Sequence, residues 1–91
     1  MEGSLTVDTN VVVRLLVEDD PRQCARARRL FEAAEVFIPE TVFMETEWVL
    51  RAAYGFDPGE IADAFRRLLR LPSVQVEDAG RMAVVLEWFS A

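Results

Sequence analysis

Apolar residues fall along this chain in short runs whose spacing alternates between strand-like and helix-like. After a polar lead-in, Met1 to Ser4, the stretch Leu5-Thr6-Val7 is brief, β-prone and followed by Asp8-Thr9-Asn10. It reads as a buried strand passing into a helix N-cap. Val11 to Val17 continues as a short apolar helix, although its β-branched run also permits a strand. Asp20-Pro21-Arg22-Gln23 marks the next start, with Asp at the N-cap, Pro at the first helical position and Gln at the third. That helix is predicted to run to about Ala34, with Arg22, Arg26 and Arg29 on one face and Ala27, Leu30, Phe31 and Ala34 on another. Val36-Phe37-Ile38, stopped by Pro39, has the pattern of a second buried strand.

Glu40 to about Tyr54 predicts a central helix, with Gly55 as its C-terminal stop. Asp57-Pro58-Gly59-Glu60 is a fuller capping box than the first. The helix it opens carries Ile61, Phe65, Leu68 and Leu69 on one stripe and ends by Pro72. Val74-Gln75-Val76 predicts a third strand. Asp78 to Phe89 predicts a last helix with Met82, Val85, Leu86 and Phe89 on one side. Strands alternating with helices indicate parallel βαβ units in a single α/β domain over residues 1–91. Two helices between the second and third strands leave ample chain for a right-handed crossover.

Composition narrows the chemistry. A hydrophobic content of 52% argues for a folded domain, and 91 residues allow one domain at most. One cysteine, Cys24, excludes an intrachain disulfide and suits a reducing, cytoplasmic compartment. No signal peptide is visible, and no apolar run approaches the about 20 residues of a membrane span. The net charge is −6 and every basic residue is arginine, which speaks against broad electrostatic binding of nucleic acid. A site where metal ions screen the phosphates is still compatible with it. With no histidine, Ser-His-Asp and Cys-His catalysis are excluded, and carboxylates become the agents of any chemistry.

Most of the 16 acids have structural explanations. Asp20 and Asp57 are N-caps, Glu18 and Asp19 precede a helix start, and Glu32, Glu35, Asp63 and Glu87 read as solvent-facing. On the central helix, about 100° per residue groups Val42, Trp48, Val49, Ala52 and Ala53 into one core-facing arc with Glu45 near its middle. Glu47 falls on the far side, one turn before Arg51, as an ordinary surface pair. A carboxylate on a core-facing stripe needs a charged partner, either an arginine or a cation. Asp8 is equally an N-cap and an acid at the C-terminal end of a strand, where α/β sheets gather ligands. Thr9 and Asn10 are placed to orient it. Together Asp8 and Glu45 offer oxygen ligands for Mg²⁺ or Mn²⁺, and a metal-activated water attacking a phosphodiester is the chemistry that follows.

These residues carry a family likeness. Val7-Asp8-Thr9-Asn10, then Glu45 three residues before Trp48-Val49-Leu50, then Tyr54-Gly55, resembles the PIN domain, in particular the VapC-type toxins of toxin–antitoxin pairs. The likeness implies a three-layer α/β/α fold around a parallel sheet. It implies a Mg²⁺- or Mn²⁺-dependent ribonuclease, held inactive by a cognate antitoxin, with Asp8 and Glu45 as catalytic and metal-site acids. It also implies a homodimer or higher oligomer, for whose contacts the second apolar arc of the central helix, Phe43, Leu50 and Tyr54, is available. The same arc also reads as plain core. Arg14, with Arg22, Arg26 and Arg29, is a candidate contact for RNA phosphates; a solvated helix face accounts for them equally.

The chain also departs from the family. Relatives carry a third and often a fourth acid in a motif beyond the equivalent of Phe89, and Glu77, Asp78 and Glu87 do not fit it. The metal site therefore reads as half present, and the fold as incomplete at its C-terminal end, with the first strand's outer edge bare. Two function classes follow: the ribonuclease toxin or its N-terminal portion, and a degenerate PIN fold kept as a binding or oligomerisation module. A haloacid-dehalogenase-like phosphatase fits poorly, because Asn10 stands where that chemistry wants a second acid.

Overall fold

A computed structural model describes residues 4–90. Local signals account for most element boundaries. Strand β1 (Ser4–Thr6) leads into helix α1 (Thr9–Val17), whose N-cap is Asp8. Glu18 ends α1 in the left-handed region, φ 58°. Helix α2 (Pro21–Ala33) starts at Asp20, whose carboxylate accepts from the Arg22 and Gln23 amides. Strand β2 (Glu35–Ile38) precedes the long helix α3 (Glu40–Tyr54), which Gly55 closes at φ 69°, a conformation that favours glycine. The Asp57–Glu60 capping box is complete, with reciprocal bonds of 2.8 and 3.0 Å at the head of α4 (Pro58–Leu69). Strand β3 (Val74–Val76) and helix α5 (Ala79–Ser90) follow.

The three strands pair in parallel in the order β1-β2-β3, with Leu5 opposite Val36 and Val36 opposite Val74. Helices flank the sheet, as the alternating pattern implies. The core gathers Val7, Val12, Leu16, Phe31, Val36, Ile38, Phe43, Leu50, Ile61, Phe65 and Leu68, joined by Met82 and Leu86 of α5. The Phe89 side chain, predicted to face this core, lies outside the described residues. No helix among those described is long and apolar enough to cross a membrane.

Two expectations are corrected here. β1 is not a buried strand: it sits at the edge of the described sheet with β2 as its one strand neighbour, and Leu5 is 42% exposed. The inward turn of the chain comes at Val7, whose amide still reaches the Phe37 carbonyl at 3.4 Å.

The second correction is the rotation of α3. Its buried face is Phe43, Thr46 and Leu50, at i, i+3 and i+7. Trp48, Ala52, Ala53 and Glu45 are exposed, and Val42 and Val49 are half-buried at the sides. Phe43 wins the core because its ring meets Phe65 of α4 edge-on, with centroids 5.4 Å apart and planes at 89°. Phe43 and Leu50 are therefore core and are not free for a partner. Thr46 is fully buried, and its hydroxyl oxygen has no hydrogen-bond partner among the described residues. Glu47 does pair with Arg51 at 3.2 Å, one turn on, though half-buried rather than on the far side.

Candidate metal centre

The C-terminal ends of the parallel strands bring the candidate acids to one rim. Asp8 follows β1 in extended backbone, φ −92° and ψ 174°, so its side chain turns back over the first turn of α1. There Oδ1 accepts from the Val11 amide at 3.1 Å. Oδ2 has no hydrogen-bond or ion-pair partner among the described residues. The N-cap and the ligand readings of Asp8 are thus compatible: one oxygen caps and the other is available.

Glu45 stands on the exposed side of α3, where it needs no partner to offset burial. It is nevertheless held. Thr9 Oγ1 donates to Glu45 Oε2 at 2.8 Å, across 36 positions of sequence. α1 and α3 pack against each other, and this bond fixes the Glu45 carboxylate beside the head of α1. The hydroxyl predicted to orient Asp8 orients Glu45 instead. Glu45 is exposed and no arginine pairs with it among the described residues, so the alternative of a buried ion pair does not apply. Asn10 is exposed, makes no hydrogen bond to either acid among the described residues, and faces the groove between α1 and α2.

A second set of charges aims α3 itself. Pro39 occupies the N-cap of α3 and provides no side-chain cap. Its place is taken by the residue just after β3 (Val74–Val76): Glu77 Oε1 accepts from the Glu40 amide at 2.8 Å. Arg81 Nη1 then donates to Glu40 Oε2, also at 2.8 Å, and the Asp78 carboxylate accepts from the Arg81 amide at 3.0 Å. A helix N-terminus favours negative charge, so Glu40 and Glu77 are stabilised there and Arg81 offsets their mutual repulsion. Sequence reasoning missed this role of Glu77, because no local motif signals a cap supplied from a residue 37 positions away.

Carboxylates such as these two are the donor type of a hard cation such as Mg²⁺ or Mn²⁺, which keeps several waters and takes substrate phosphate oxygens as ligands. Among the described residues no group of three or more His, Cys, Asp or Glu side chains stands close enough to share an ion.

Comparison with known proteins gives one family. The family model described as PIN domain matches residues 5–90. No curated protein matches, and no solved structure matches.

Proposed function

The chain belongs to the PIN domain family, a nuclease superfamily, and from that premise we propose that it is a Mg²⁺- or Mn²⁺-dependent ribonuclease of the VapC toxin type. The observation that carries this reading is the Thr9–Glu45 hydrogen bond, which ties the helix bearing the second acid to the residue next to the first. Asp8 and Glu45 would hold the cation. When bound, it supplies positive charge for the scissile phosphate and acidifies a water for attack. The chain's own contribution is positional. Asp8 is fixed by its bond to the Val11 amide, Glu45 is fixed by Thr9, and the exposed rim leaves room for a long substrate.

The test is Mn²⁺ titration calorimetry together with cleavage of a structured RNA. Glu45→Gln should remove measurable Mn²⁺ binding. Thr9→Val, which leaves both acids in place but frees Glu45, should weaken it about tenfold, the usual scale for an outer hydrogen bond to a ligand. Wild-type affinity in both variants would remove Glu45 from the site.

On the same reading a cognate antitoxin restrains the enzyme, and a second copy of the chain covers the face shared by α3 and α5. Its groove is lined by Met44 and Trp48 of α3, 72% and 60% exposed, and by Met82 and Val85 of α5, and Val84 and Trp88 add further exposed apolar surface on α5. Paired charges of both signs, Glu47–Arg51 and Glu40–Arg81, stand at the groove beside it, which suits a self-complementary contact. Sedimentation should show a dimer that Trp48→Arg converts to monomer; a wild-type monomer at high concentration would exclude this contact.

A second reading, a PIN fold serving only as a binding or assembly module, is favoured because no group of three or more metal-ligating side chains stands together among the described residues. It predicts no Mn²⁺ binding and no cleavage, so the same titration separates the two.

A further inference from the structure

Charge is unevenly placed on this acidic chain. The groove between α3 and α5 balances Arg51 and Arg81 against Glu40 and Glu47, and the one along α4 balances its arginines against Glu60 and Asp63. The groove between α1 and α2 is different. Arg14, Arg26 and Arg29 line it with Asn10 and Gln23 over an apolar floor, and no Asp or Glu lines it. Arg14 has only a long contact to Asp19, 3.9 Å. Arg29 is turned to the Ala25 carbonyl at 3.4 Å, and neither it nor Arg26 has a carboxylate partner among the described residues. The groove also has a direction. Asn10 lies two residues past Asp8, and Arg14 lies one turn further along α1.

We propose that this groove holds the phosphodiester backbone of the RNA strand whose scissile bond lies at Asp8 and Glu45, an inference that rests on the ribonuclease reading. Guanidinium groups match phosphate oxygens with two parallel hydrogen bonds. A confined positive strip on an otherwise negative protein steers an anionic strand to this side. The lining includes no aromatic side chain on which a base could stack. The groove therefore supplies affinity and register, and leaves base preference to the rim around the acids.

The experiment is fluorescence anisotropy of a labelled oligouridylate of about twelve nucleotides with the full chain in EDTA, across a salt series. R26Q/R29Q is compared with R67Q/R70Q, a double substitution of equal charge on α4. For two lost phosphate contacts, the groove variant should bind about tenfold more weakly at low salt, and its log–log salt slope should be shallower by about 1.4. R26K/R29K should recover most of that slope. In the cleavage assay KM should rise with kcat held. The α4 variant should match wild type in both assays.

Equal slopes for the two glutamine doubles would overturn the proposal. So would an oligoglutamate peptide of similar charge binding more tightly than the RNA through Arg26 and Arg29, which would make the groove a surface for an acidic protein. Failure of the ribonuclease reading looks different: no metal-dependent cleavage by the wild-type chain, while anisotropy still assigns the groove to RNA.

Discussion

Asp8→Asn should lower metal-dependent RNA cleavage by at least about a hundredfold while leaving the melting temperature almost unchanged. The two halves of that expectation come from the two oxygens of one side chain. Oδ1 caps α1 through the Val11 amide, and asparagine performs this task nearly as well as aspartate. What asparagine cannot do is hold a divalent cation with a full negative charge. Asp8→Ala should lose both functions, adding a destabilisation of about 1 kcal/mol from the missing cap. The pair of variants therefore separates folding from chemistry at a single position. Cleavage by Asp8→Asn at the wild-type rate, with the metal present, would show that Asp8 is only a cap.

Phe65→Ala should remove a large share of the stability of the molecule. Phe65 is 1% exposed and meets the Phe43 ring edge-on at 5.4 Å. Removing a buried phenyl ring costs about 3–5 kcal/mol, against a total stability of about 5–15 kcal/mol for a small domain. The melting temperature should fall by roughly 4–8 °C for each of those kcal/mol. The effect reaches the site because Phe43 fixes the rotation of α3, and that rotation presents Glu45 to Thr9. Mn²⁺ binding by the remaining folded fraction should weaken as well. Urea unfolding reads the first effect and calorimetry the second. A loss below about 1 kcal/mol would mean that the cavity collapses and that other contacts hold α3.

Where a signal is local, the sequence announces it. Asp20 before Pro21, Asp57 with Glu60, and Gly55 after Tyr54 each satisfy backbone groups within a few residues, and each appears where the pattern predicts. The stripe of α4 is equally clear, since Asp63, Arg67 and Arg70 oppose Ile61, Phe65 and Leu68. α3 is harder because apolar residues surround it: Phe43, Met44, Trp48 and Leu50 point in different directions, and periodicity cannot choose among them. The choice is made by the partner ring on α4, which lies outside the window that a helical wheel sees. The core-facing arc around Glu45 that the helical wheel suggests is therefore not the buried one, and yet Glu45 stands beside the head of α1, one hydrogen bond from the residue that follows Asp8. The residues of β1 do not show its exposure by themselves, because a short strand looks alike at the middle and at the rim of a sheet; the bare outer edge follows only from the topology that the family resemblance implies.

The cap that Glu77 places on the first amide of α3 has a temporal side. During synthesis Asp8 and Glu45 leave the ribosome well before β3 is made, and the helix carrying Glu45 then begins at a proline with no acceptor for its leading amide. Its first turn is free to fray until Glu77 arrives. The leading turn of α3, which carries Glu40, is thus made early but is capped only after the chain following the third strand has docked.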